Sequence, residues 1–559
     1  MTRQIRETMA RIVDLLLIYS SLNFCCYSNL EDCTDGSNEN HCNFISAPTQ
    51  MSTPDSPTYI AAVVEYHPEY AINSDETLKK NSDAYVKHIK TARAKNADII
   101  VFPEDGLTTV KLPEREEMQA WTTIIPAASF NYTPCIDNTI EVSETLKKIS
   151  CAARNNTIYV VINIAEKLPC TGDKCPKDKM FYYNSNVVFD RMGKIIARYR
   201  KTNLFGERQF NVTSEPEIVI FDTDFGVKFG TFICFDILFH EPALQLTRLH
   251  QVTDIVYPTA WFSEAPFLTA VQTQTGWSFS EDVNLLVSGY NEPASGNTGS
   301  GIYLGRKGIG EAIMSKTTGD KILVFEVPKK DRIFNKDHYD HSKDYDHNVY
   351  NSKKENIHEE LWKKQFASTM ADNDTVFLIH ENINAFETFS LEGNVTKNMC
   401  KNGFCCDFKV EVETIDPSKK YRLVAFSGIR LYATVEAGVR ACGIVQCLND
   451  SISSCGSVQE SRTIFSKIEI DTTFYDYKNI LIMPSTLRSD LLPLSENWTY
   501  NERAHDDHVH VSMLLSNNTN NLTTFGIYSR YFNKNNANKV VSDAIYYYIV
   551  LVSLCISKL

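Results

Sequence analysis

A thiol, a carboxyl group and an amine stand at the ends of three apolar runs in this 559-residue chain. Cys234 closes Gly230-Thr231-Phe232-Ile233-Cys234, just before a helical stretch that opens near Glu241. A cysteine at such a strand-to-helix elbow can be exposed while neighbouring amide N–H groups point at a bound carbonyl. Glu104 follows Asp98-Ile99-Ile100-Val101-Phe102 in the segment Pro103-Glu104-Asp105-Gly106. Lys201 follows Ile195-Ile196-Ala197-Arg198-Tyr199-Arg200. The carboxyl edge of a sheet is where α/β enzymes place reacting groups. Together a thiol, a carboxylate and an ammonium are the kinds of group that nucleophilic and acid–base chemistry uses. Singly, each has an ordinary reading: a packed cysteine, a turn carboxylate and a surface charge.

The elements that must position them read as an α/β layered domain. Strands are predicted at Tyr59–Glu65, Asp98–Phe102, Ile158–Ile164, Ser185–Asp190, Ile195–Tyr199, Ile218–Phe221, Lys228–Cys234, Asp254–Tyr257 and Asn284–Ser288. Helices are predicted at Leu78–Asn96, Ser143–Asn155, Glu241–His250 and Pro266–Glu281. In the first of these, Tyr85, Ile89 and Ala92 share a face. Arg191-Met192-Gly193-Lys194 makes a hairpin turn between two strands. From Thr375 to about Phe532 short strands alternate with turns, among them Phe408–Val412, Tyr421–Gly428, Thr463–Ile470 and Val509–Leu515. That second region reads as a mainly β domain with a supporting role.

The motifs around the three residues resemble the vanin and biotinidase branch of the nitrilase superfamily of carbon–nitrogen hydrolases. Phe102-Pro103-Glu104-Asp105, Tyr199-Arg200-Lys201-Thr202-Asn203-Leu204-Phe205 and Gln209-Phe210-Asn211-Val212 carry the likeness. So do Cys234-Phe235-Asp236-Ile237-Leu238-Phe239-His240-Glu241-Pro242-Ala243, Tyr257-Pro258-Thr259-Ala260-Trp261 and Thr298-Gly299-Ser300-Gly301-Ile302-Tyr303. The resemblance runs from about Thr58 to Phe532 and includes the cysteine-rich segment Cys400–Cys455. It implies an α-β-β-α sandwich followed by a smaller, mainly β, disulfide-rich base domain.

It also implies roles. Glu104 would be the proton acceptor, Cys234 the nucleophile that forms a thioester, and Lys201 the proton donor and oxyanion stabiliser. The amide of Phe235 would assist Lys201, and Glu207 would orient Lys201 or the substrate. Trp261 and Tyr290 are pocket candidates whose default is core packing. The substrate implied is a small linear secondary amide: pantetheine, as in vanins, or biocytin, as in biotinidase. His240 leans towards the vanin side. A non-catalytic secreted binding protein of the same fold is the reading from another class. Neither a cofactor nor a metal is expected.

Composition bounds the partners and the compartment. With 43% hydrophobic and 22% charged residues the chain reads as globular. A net charge of −13 without basic runs argues against nucleic acid as a partner. Of the 16 cysteines, Cys135 groups with Cys151, Cys170 with Cys175, and Cys400, Cys405, Cys406, Cys442, Cys447 and Cys455 form a third set whose pairing is open. Sequons begin at Asn131, Asn155, Asn211, Asn373, Asn394, Asn449, Asn497, Asn517 and Asn521. Both features fit a glycosylated, secreted or cell-surface protein.

The expected organisation follows. Residues 1–27 read as a signal peptide, and 28–55 as a polar linker whose Cys33–Cys42 stretch is similar to the end of an LDL-receptor class A module. Residues 56–326 are the catalytic domain, 327–374 a charged linker containing His338, His341 and His347, and 375–533 the base domain. Residues 534–559 end in a short apolar tail that reads as a GPI-anchor signal, hence attachment to the membrane through a lipid. The oligomeric state is left open by the sequence.

Overall fold

In the computed structural model, residues 51–330, 376–433, 435–475 and 480–532 are described. The expected signal peptide, the Cys33–Cys42 fragment, most of the charged linker with its histidines, and the anchor signal lie outside them. So does the sequon at Asn373.

The first domain is built on two six-stranded sheets packed face to face. The first contains β1 (Thr58–Glu65), β2 (Ile99–Val101), β3 (Tyr159–Pro169), β4 (Met180–Phe189) and β5 (Ile195–Arg200). The second contains β6 (Ile220–Asp222), β7 (Lys228–Thr231), β8 (Asp254–Thr259), β10 (Asn284–Gly289), β11 (Ser300–Leu304) and β12 (Ile309–Ile313), with the short β9 (Glu264–Ala265) beside it. The chain then returns to the first sheet as β13 (Lys321–Pro328), antiparallel to β1. The strand orders are β13-β1-β2-β3-β4-β5 and β12-β11-β10-β8-β7-β6.

β1 shows why this layering forms. Its residues are apolar on both faces, as a strand covered on both sides requires. Tyr59, Ala61 and Val63 pack between the sheets with Phe229, Val256 and Leu286. Ala62 and Val64 point the other way, towards Tyr85, Ile89 and Ile149 of helices α1 (Ser74–Ala94) and α2 (Glu144–Asn156). Helix α1 starts earlier than the apolar periodicity predicts. Its first turn is polar and is fixed instead by Asn73, whose side chain accepts from the Glu76 N–H, and by Asp75 and Glu76 near the positive helix end.

Helix α3 (Ala270–Glu281) and the helical segment His240–Leu249 cover the far face of the second sheet. The helix predicted from Pro266 begins at Ala270, because Glu264 and Leu268 exchange backbone hydrogen bonds and tie the preceding residues into a turn.

The second domain is a β-sandwich. Its strands are β14 (Ile379–His380), β15 (Glu387–Ser390), β16 (Val395–Lys401), β17 (Phe404–Thr414), β18 (Lys420–Tyr432), β19 (Val435–Cys447), β20 (Ile464–Tyr475), β21 (Ile480–Arg488), β22 (Trp498–Ala504), β23 (His508–Leu515) and β24 (Leu522–Tyr531). Two five-stranded sheets, β15-β18-β19-β24-β21 and β16-β17-β20-β23-β22, enclose a core that includes Phe408, Leu423, Ile470 and Met513. The first of these sheets is buried on both faces. Its outer side, with Phe426, Val439, Met483 and Tyr528, joins Phe267 and Trp277 in one core with the first domain.

Among the described residues, five disulfides pair ten cysteines as Cys135–Cys151, Cys170–Cys175, Cys400–Cys405, Cys406–Cys442 and Cys447–Cys455, and Cys234 is free. Cys406–Cys442 joins the two sheets of the sandwich. Of the sequon asparagines, Asn131, Asn155, Asn394, Asn449, Asn497 and Asn517 are exposed, while Asn211 and Asn521 are half-buried. Among the described residues, no helix is long and apolar enough to cross a membrane.

Candidate active site

The three chemically suggestive residues meet at the carboxyl ends of β2, β5 and β7. Glu104 lies three residues past β2, Lys201 directly follows β5, and Cys234 lies three residues past β7. The strand predicted to run to Cys234 stops at Thr231, and Cys234 opens a short helical turn, Cys234–Leu238. Cys234 sits at φ 45°. That is a costly conformation for a residue with a Cβ, and its surroundings must hold it. Tyr257 does so by donating to the Cys234 carbonyl at 2.8 Å.

Glu104 is 2% exposed and uses both oxygens. Oε1 accepts from Lys201 Nζ at 2.7 Å and from Asn184 Nδ2 at 2.9 Å, and Oε2 accepts from the Ala260 N–H at 2.9 Å. Lys201 Nζ donates also to Glu207 Oε1 at 2.9 Å. The other oxygen of Glu207 accepts from the Phe205 N–H at 2.6 Å. Glu207 therefore braces Lys201 and the loop that follows it.

The electrostatics define the resting state. Burial works against the Lys201 ammonium, but Glu104 and Glu207 outweigh it and push the amine well above its usual range. Burial and the Glu104 carboxylate push the Cys234 thiol up, while Lys201 and the Thr259 hydroxyl pull it down without prevailing. At rest the Cys234 thiol is thus neutral, and any attack by its sulfur would need a base to take the proton. The Glu104 carboxylate, whose negative charge helps to raise the thiol, is the candidate for that base.

Two further sets of residues build the site. Asp236, fully buried, spans the gap between the cysteine turn and the lysine loop. Its Oδ1 accepts from the Asn203 backbone and side-chain N–H groups, and its Oδ2 from Tyr199 Oη at 2.7 Å and the Ile233 N–H at 3.0 Å. Burial raises its carboxyl to about 6. Behind Glu104, Asn163 donates to Asn184 Oδ1 at 2.6 Å and accepts from the Asp105 N–H at 3.0 Å. The sequence does hold a signal for these residues: acids and amides inside apolar runs must be partnered.

In front of the thiol lies a narrow, half-open cleft. Phe205, Phe235, Trp261 and Phe262 supply its aromatic wall, with Leu238 and Leu268 beside them. Trp261 is a lining residue; Tyr290 is not among them and is 5% exposed. His240 does not line the cleft either; its ring contacts Phe532. Ile379 and Tyr432 come from the second domain, so the β-sandwich forms part of the cavity itself. Among the described residues, no cluster has the makings of a metal site.

Comparison with known proteins agrees with this architecture. The carbon-nitrogen hydrolase family model matches residues 60–274, and the Vanin C-terminal domain model matches residues 376–535. Vanin-like protein 1 of Drosophila melanogaster is 35% identical over 517 residues, covering 86% of this chain and 87% of that protein. Pantetheinase of Homo sapiens is 34% identical over 420 residues, covering 73% and 77% respectively. An amidase structure from Nesterenkonia sp. aligns at a TM-score of 0.37 and 16% identity, over 49% of this chain and 92% of its own. The chain belongs to the vanin family of carbon–nitrogen hydrolases.

Proposed function

We propose that this hydrolase cleaves pantetheine to pantothenate and cysteamine, with Glu104, Lys201 and Cys234 as the catalytic residues. The observation that carries the mechanism is Lys201 Nζ held at once by Glu104 and Glu207, 2.7 and 2.9 Å away, beside a neutral thiol. The substrate assignment is supported by the pantetheinases among the relatives.

The steps follow from the geometry. The thiol proton passes to Glu104 as the sulfur attacks the amide carbonyl. The oxyanion that forms is met by the Lys201 ammonium. The Phe235 N–H assists, since it is one of the groups that the start of a helical turn leaves without an internal acceptor. Glu104 then returns its proton to the departing amine, leaving an acyl thioester on Cys234. Water, deprotonated by Glu104, releases the acid and restores the thiol.

We also place the protein outside the cell, secreted or held at the surface by a lipid anchor. Five disulfides and six exposed sequon asparagines support an oxidising, glycosylating route.

The decisive assay follows cysteamine release from pantetheine, with biocytin alongside, for the wild type and Cys234→Ala. Release from pantetheine that disappears in the variant is expected. Preferential cleavage of biocytin would keep the mechanism and overturn the substrate. Turnover that survives in Cys234→Ala would overturn the mechanism.

A further inference from the structure

The cavity is apolar except at one point. Apart from the thiol and the Tyr432 phenol, Glu264 is the only acid or base among its lining residues. It stands in β9 of the first domain, and its position is dictated by the second. Ile379 and His380 of β14 pair in parallel with Glu264 and Ala265, and the Glu381 N–H donates to the Ala265 carbonyl at 2.8 Å. Arg430, in β18, donates through Nη2 to Glu264 Oε1 at 2.9 Å and through Nη1 to Glu381.

One guanidinium thus serves two carboxylates at the seam between the domains. Burial raises both carboxyls, and that of Glu381 reaches about 8. At neutral pH Glu381 keeps its proton, and Arg430 stands as the counter-charge to Glu264. Arg430 engages Oε1 of Glu264; Oε2 has no hydrogen-bond partner among the described residues. The wall therefore offers an acceptor that is fixed in place and carries no surplus charge. An acceptor of that kind in an apolar cavity discriminates strongly, because an analogue without the matching donor leaves it unpaired.

We propose that Glu264, held by Arg430, is the specificity-determining acceptor of this cavity and takes an uncharged O–H or N–H carried by the substrate away from the scissile amide. The inference rests on Cys234 being the nucleophile and deepens that reading. The second domain then selects which amide is cleaved, through a residue it does not itself contain.

The test uses the full chain and reads alkylation of Cys234 by iodoacetamide, quantified on the Cys234 peptide. Linear aliphatic amides of increasing length, each with and without a terminal hydroxyl, compete as protectants. At one length or more, the hydroxylated member is expected to protect about tenfold better than its partner. Glu264→Leu should abolish that advantage. Glu264→Gln, whose single carbonyl oxygen must serve Arg430 and whose NH₂ then faces the substrate, should reduce it. Arg430→Met, which frees the carboxylate, should reduce it. Equal protection by both members at every length, or an advantage that survives Glu264→Leu, would overturn the proposal. An amine-terminated amide that protects better than the hydroxylated one would overturn the uncharged donor. Should Glu264→Leu fail to fold, the wild-type pairs, Glu264→Gln and Arg430→Met still decide. No protection by any amide would sink the nucleophile and the proposal together. Pantetheine turnover by the same wild-type preparation separates the two readings: hydroxyl dependence without pantetheine cleavage removes the substrate and leaves the role of Glu264.

Discussion

Asp236 holds Asn203 twice, accepting from its backbone N–H at 2.9 Å and from its side-chain amide at 2.8 Å through one oxygen. Through this pair the turn bearing Cys234 and the loop bearing Lys201 are tied together. Asp236→Asn would set an NH₂ group against the Ile233 N–H or against Asn203, two donors facing each other. A loss of about 1–3 kcal/mol in stability is expected. A fall of roughly ten- to a hundredfold in kcat/KM should accompany it, since small misplacements of reacting groups are costly. Thermal melts and steady-state kinetics on one preparation check both.

Lys201→Met would leave Glu104 and Glu207 facing each other without the ammonium that both engage. The oxyanion would lose its main charge partner. A drop of roughly a thousandfold in kcat is expected, with destabilisation of about 3–5 kcal/mol for the uncompensated buried charge. Single-turnover assays and denaturant titration report the two effects. A kcat within tenfold of wild type would rule out the assigned role.

Arg430→Met should be destabilising. It would strand Glu264 and Glu381 together at the domain seam. About 3–5 kcal/mol is expected from an orphaned buried pair, read as a lowered midpoint in thermal unfolding.

Glu381 makes stability depend on pH in a definite direction. Burial holds its carboxyl near 8 against a usual 4.5, with Arg430 opposing and Glu264 adding to the rise. The folded protein therefore binds this proton more tightly than the unfolded chain. The contribution is complete below about 4.5 and is lost as pH climbs to about 8. Wild type should lose on the order of a few kcal/mol across that window through this group. Glu381→Gln should flatten the profile, as seen in melting temperatures from acid to mildly alkaline buffer. An unchanged slope in the variant would refute the assignment.

The Cys406–Cys442 disulfide ties the two sheets of the sandwich across 36 residues of chain. Replacing both cysteines with alanine is expected to cost about 2–5 kcal/mol. Differential scanning calorimetry should show it.

What the sequence made legible follows from local physics. The strands of the first domain, the convergence of Glu104 and Lys201 at strand ends and the two small disulfide loops are encoded in short stretches, by apolar runs, turn residues and close cysteines. The elbow at Cys234 was placed correctly in the chain, yet its strand was read three residues too long, because Phe232 and Ile233 continue the apolar run after pairing has ended. Asp236 was visible as a residue and silent as a partner: Tyr199 and Asn203, which it joins, lie more than thirty positions away. The cavity wall was the least accessible feature. Ile379 and Tyr432 belong to a domain that reads as mere support, and only the packing of Phe426, Met483 and Tyr528 onto the first domain brings it to the cleft.

Helix α3 is covered along the side it turns away from its own sheet. Gly276 admits the Pro484 carbonyl where a Cβ would collide with it, and Gln272 donates to Ser485 Oγ at 2.8 Å. In most two-domain chains each part can be inherited, duplicated or lost alone. Here the first domain without the second would leave Gln272 and Ser280 of that helix without their partners, and the second without the first would bare the outer side of one sheet. Neither half is closed without the other: the face each shows at the seam is finished only by its partner.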